Sequence, residues 1–147
     1  MVRQEDLLEA SIEMAAAAAE LFIGQGIRTS LETNGPDLLT KEAVCLKASC
    51  GAGHLDSIFR GLARIDLEKP APSFEPIRQR LEEMESLCTI FFSADARPEF
   101  QQLLEKFRKE KREFIWFCPV NRIVRPEINA GIRPYTRLID VEEGGRL

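Results

Sequence analysis

The sequence predicts an α+β fold, with a helical N-terminal half followed by a helix and a small antiparallel sheet. Apolar residues in the first half recur at helical spacing between glycine breaks. The second half carries a basic amphipathic stretch followed by the apolar run Phe114-Ile115-Trp116-Phe117-Cys118. Shorter β-prone runs come after it, punctuated by Pro126, Gly131 and Pro134. With 147 residues, 44% hydrophobic and 30% charged, the chain has enough apolar material for one ordinary globular core. It reads as a single domain, 1–147, sub-divided into a helical region 1–68 and a helix-plus-strand region 73–147.

From Asp6 to Ile23 the positions Leu7, Leu8, Ile12, Met14, Ala15, Leu21 and Phe22 fall roughly at helical spacing, and Gly24 and Gly26 end the block. Thr33-Asn34-Gly35-Pro36 reads as a loop leading into a second helix from Asp37 to about Ala48. Gly51 and Gly53 precede a third helical piece, about His54 to Ala63. Lys69–Ser73 is a linker, and Ser73 and Pro76 open a helix with Ile77, Leu81, Met84 and Leu87 on its apolar side. Periodicity leaves Cys88–Phe92 open between a buried strand and a continued helix. Pro98 opens a helix with Phe100, Leu103, Leu104 and Phe107 on one side and Lys106, Arg108, Lys109, Lys111 and Arg112 on the other. Phe114–Cys118 reads as a buried strand stopped by Pro119, and Asn121–Arg125 and Tyr135–Val141 as further strands.

The net charge is −4 and unevenly spread: residues 1–96 carry −7, residues 97–137 carry +5 and the last ten −2. A protein whose whole surface tracks nucleic acid usually has a basic excess, so only the C-terminal third offers a positive face. No apolar stretch approaches the roughly 20 residues a bilayer requires, and the acidic N-terminus carries no secretion signal. The expectation is a cytoplasmic protein with no membrane partner and reduced cysteines buried as small hydrophobes. Cys45, Cys50 and His54 form a C-x4-C-x3-H series, but without paired C-x2-C units no metal is assigned to it.

In the stretch Lys41–Gly61, the residues Val44, Ala48, Cys50, Leu55 and Ile58 occupy places where two short helices would face each other. Cys45 and Ser49 are small where helix contact and a turn would need it. In that register the segment resembles the helix-turn-helix of phage-repressor-like (Cro/C1-type) regulators. The resemblance implies a DNA-binding helix in which His54 and Ser57 meet base edges and Arg60 reaches phosphate. Ser49 stands where the usual turn glycine would be, and Gly51 and Gly53 depart further from the pattern.

The C-terminal third interleaves cations with aromatics, and Arg122 and Arg125 join His54, Ser57 and Arg60 as candidate nucleic-acid-binding residues. Catalysis has the least support. No nucleophile sits with a base, and Gly51-Ala52-Gly53 is too short for a dinucleotide or Walker loop. No catalytic residue or cofactor is assigned. Two readings remain, a small DNA-binding transcriptional regulator and a non-enzymatic protein-interaction module or adaptor with a degenerate helix-turn-helix. For the second, the exposed arginines would meet a protein partner or a second copy in a homodimer.

Overall fold

The fold, a computed structural model, is described for residues 4–67 and 74–141. The linker Lys69–Ser73 lies outside the described residues. In chain order the elements are α1 (Gln4–Gly24), β1 (Thr29–Pro36), β2 (Ala43–Ser49), α2 (Ala52–Ala63), α3 (Glu75–Glu83), β3 (Cys88–Phe92), α4 (Pro98–Lys109), β4 (Glu113–Val120), a 3-10 turn at Arg133–Tyr135, and β5 (Thr136–Asp140). The chain divides into two compact units, one formed by residues 12–83 and the other by residues 1–11 with 84–147.

The unit of residues 12–83 packs a two-stranded antiparallel sheet against helices. α1 ends in a hydrogen-bonded C-cap, with Gly26 in the left-handed region (φ 78°) and Ile27 N–H donating to Phe22 O. The chain then enters β1, whose second half falls where the sequence pattern had placed the loop Thr33–Pro36. Ala43–Ser49 pairs with β1 instead of forming a helix. Its side chains alternate, Val44 and Leu46 inward and Cys45 and Lys47 outward, which is the period of a strand. The N-terminal half is therefore not all helical, and Lys41–Gly61 runs strand, turn, helix rather than helix, turn, helix. Gly61 has a different task from closing a second helix. A Cβ there would lie 2.8 Å from Val44 Cγ1, so the glycine lets α2 lie close on β2. Val44, Ile58, Leu62 and Ile65 complete the core with Ala19 and Ile23 of α1.

The other unit holds a three-stranded parallel sheet, ordered β3-β4-β5, where a small antiparallel sheet was expected. Two strands joined through a helix run parallel, because the crossover returns the chain to the end it started from. α4 is that crossover between β3 and β4. Its apolar side is the one the sequence shows, with Phe100, Leu103, Leu104 and Phe107 all buried. Phe100 meets Trp116 edge-on at 5.0 Å, and Phe107 meets Phe114 at 6.1 Å. On the opposite sheet face Phe92 and Phe117 stack at 5.5 Å. Leu7 and Ala10 of α1 pack with Ala94 and Val141, just beyond the ends of β3 and β5. Leu87, assigned above to the apolar side of α3, lies beyond that helix and is 96% exposed.

Pro119 does not stop β4; it sits inside it, fully buried. Ser93 N–H donates to Phe117 O, so the ladder's phase aims the next β4 donor, at position 119, towards Ser93 O. Proline has no N–H to give. The Trp116 indole supplies the missing donor, its Nε1 lying 2.8 Å from Ser93 O. A proline in a central strand is thereby tolerated without leaving that carbonyl unpaired.

Candidate interaction surface

The five residues proposed from sequence to touch nucleic acid fall in both units. Three lie on α2, and each has local work. His54 Nε2 is 2.6 Å from Thr29 O; a carbonyl only accepts, so Nε2 carries the proton and ties the start of α2 to β1. Ser57 Oγ donates to Gly53 O in its own helix, and Arg60 pairs with Asp56 at 2.9 Å on an exposed surface. Cys45, Cys50 and Cys88 are exposed rather than buried, and only Cys118 lies in the core. Burial pushes the Cys118 thiol up to about 12, with the negative charge of Asp95 adding to it. Among the described residues no three His, Cys, Asp or Glu side chains converge as metal ligands.

Arg122 and Arg125 belong to a turn at the carboxyl end of β4, not to a strand. Asn121, buried after the last residue of β4, shapes it: its Oδ1 accepts from Ile123 N–H at 2.8 Å and from Val124 N–H at 2.6 Å. Asn121 N–H in turn donates to Val124 O. This Asx-type turn holds Arg122, Ile123 and Val124 out from the sheet, with Ile123 75% exposed. Arg125 reaches back to Asp140 at the end of β5, at 2.9 Å. Gln101 fixes the chain that follows, donating to Ala96 O and Glu127 O and accepting from Asn129 N–H.

The charges around this turn are largely spent. Among the basic residues from 97 to 137, Arg97, Lys106, Arg108 and Arg125 pair with Asp95, Glu110, Glu105 and Asp140. Arg112, Arg133 and Arg137 donate to main-chain carbonyls. Arg122 has no side-chain partner among the described residues. The positive block of the sequence is thus mostly tied into its own unit. Next to the turn lies β5, where Leu138 is 44% exposed on the sheet face that α4 covers over β3 and β4.

Asn121, Gln101 and Leu138 were not singled out by the sequence. An asparagine directly after an apolar β-prone run is a turn signal that points to Asn121; nothing comparable marks the other two. None of the described helices is long and apolar enough to cross a membrane. Comparison with protein families, characterised proteins and solved structures finds no match to this chain.

Proposed function

We propose that this chain is a non-enzymatic protein-interaction module, and that the turn Asn121–Arg125 together with β5 forms its contact surface. The observation that carries this reading is a rigid turn presenting an uncovered isoleucine. Ile123 stands in solvent on a turn held by two hydrogen bonds to one buried asparagine. A preorganised apolar side chain loses little entropy when a partner covers it, which is the property of an interface anchor. Arg122 beside it supplies charge that no described residue neutralises.

The test compares affinity capture from cell extract by the wild-type chain with capture by Ile123→Asp and by Arg122→Glu/Arg125→Glu. Proteins held by the wild type and lost from both folded variants are the expected result. An unchanged set would overturn the reading. Nuclease-sensitive capture, or micromolar salt-dependent binding of a random duplex, would favour the DNA-binding regulator instead.

A further inference from the structure

We infer that β5 takes an extended acidic segment of a partner protein as a fourth strand of the sheet, a deepening that rests on the interaction-module reading. Backbone phase points to it. Val141 N–H donates to Val120 O, and in a parallel ladder the residues that face the neighbouring strand alternate with those that face away. Arg137, Ile139 and Val141 therefore turn their main-chain groups towards β4, and Thr136, Leu138 and Asp140 turn theirs outward. Thr136 N–H is used by the preceding 3-10 turn, and Thr136 O accepts from Arg137 Nη1 at 3.1 Å. The N–H and C=O of Leu138 and of Asp140 are bonded to no described residue. They form an open edge with the two-residue spacing that only an extended backbone matches.

Side chains around the edge specify the segment's chemistry. Leu138, exposed in the middle, calls for an apolar neighbour. Arg133 and Arg137 flank the beginning of β5 with no carboxylate partner among the described residues. At its end Asp140 is already neutralised by Arg125, with Arg122 in the same turn. The edge is apolar at its centre and cationic at its beginning, where Arg133 and Arg137 lie, which complements a short run of β-branched residues with carboxylates at the end that meets those arginines. A second copy of β5 fits less well. Antiparallel pairing centred on Leu138 would set Arg137 diagonally across from Arg137 of the other copy, two like charges on one face.

The probe is a fluorescein-labelled peptide, Glu-Glu-Val-Val-Val-Glu-Glu, with Lys-Lys-Val-Val-Val-Lys-Lys as its counterpart, titrated into the whole chain by fluorescence polarisation. Leu138→Pro removes an outward N–H and leaves the β4 ladder intact, so this variant keeps the Trp116 emission of the folded chain. It is expected to weaken the acidic peptide at least tenfold. Arg137→Glu is expected to invert the preference between the two peptides. Protection of the Leu138 and Asp140 amides from exchange on adding the acidic peptide is the direct sign of strand addition. Equal binding by Leu138→Pro, equal affinity for both peptides, no binding of the acidic peptide, or self-association that Leu138→Pro abolishes would each overturn the inference. If Ile123→Asp loses captured proteins while Leu138→Pro keeps them, strand addition fails and the interaction module stands. If both variants keep them, both readings fall.

Discussion

The indole of Trp116 and the ring of Pro119 form a compensating pair, and a double-mutant cycle measures the compensation. Trp116→Phe keeps an aromatic ring in the fully buried site but removes the only donor to Ser93 O among the described residues. Leaving that half-buried carbonyl unpaired costs about 1–2 kcal/mol, and the smaller ring loses roughly another 1 kcal/mol of burial. The single variant should therefore lose about 2–3 kcal/mol. Pro119→Ala restores a main-chain N–H aimed at the same carbonyl. In the wild-type chain that N–H competes with the indole, and the loss of proline's stiffness in the unfolded state makes the change unfavourable by about 0.4–1 kcal/mol. In the Trp116→Phe background it should instead recover about 1 kcal/mol. Guanidinium unfolding followed by far-UV circular dichroism suits variants that lack the tryptophan. A coupling of about 1–2 kcal/mol is expected, against the roughly 0.3–0.5 kcal/mol scatter of independent sites. Strictly additive losses would refute the argument that one group substitutes for the other.

Asn121→Ala deletes two hydrogen bonds whose donors lie in an exposed turn, so it should destabilise by about 1–3 kcal/mol in urea unfolding followed by Trp116 fluorescence. Asn121→Asp keeps the accepting oxygen and should lose much less; equal losses would show that the turn is not held by that atom. Gly61→Ala drives a methyl into Val44 and should cost about 1–3 kcal/mol by the same unfolding assay. Stability unchanged there would mean that α2 and β2 can separate freely. Asp37 is held below the usual carboxyl range by N–H donation from Leu39 and Thr40. A depressed folded value stabilises above the ordinary carboxylate pKa of about 4, and the stabilisation is lost as pH falls through the depressed value. The melting-temperature gap between wild type and Asp37→Asn should therefore be flat from pH 5 to 7 and narrow below about pH 4. A gap that widened with acid would reverse the sign and reject the assignment. Cys118 should resist thiol reagents until the chain unfolds, whereas Cys45, Cys50 and Cys88 react in the folded chain. Early modification of Cys118 would show that its core opens.

What the sequence made legible follows from how each element is stabilised. α4 shows four apolar residues on one stripe with a proline at its start, and both α4 and the buried heart of β4 form where the pattern puts them. The hairpin of β1 and β2 was hidden because Val44, Ala48, Leu55 and Ile58 suit a helix pair as well as a strand laid under a helix. Only Val44 and Leu46, two residues apart between the outward Cys45 and Lys47, distinguish the two cases. The parallel order of the second sheet was implicit in a helix lying between two strands, a topological signal rather than a local one. At the candidate surface, Arg122 and Arg125 were visible as charges, but the turn that presents them depends on the buried side chain of Asn121. Leu138 was unreadable in advance, because its exposure depends on which strand ends at the sheet's edge.

What the positive block can attract depends on which of its charges stay unpaired. A run of arginines in sequence suggests an electrostatic surface, yet long-range attraction for a polyanion depends on charges left unneutralised within about a Debye length. Here four cations from residue 97 onward sit on carboxylates of their own unit, which flattens the field that a phosphate backbone would feel. Lys109 and Lys111 lie at and just past the end of α4, while the charges near β5 are local and directional: Arg122 on a rigid turn, and Arg133 and Arg137 drawn back onto carbonyls beside an open strand edge. Charges placed that way favour a ligand that brings its own backbone into register first and its carboxylates second. The order matters for measurement. Binding led by strand pairing should fall only modestly between 50 and 200 mM salt and collapse with Leu138→Pro, whereas binding led by phosphate contacts would lose orders of magnitude with salt and be indifferent to that proline.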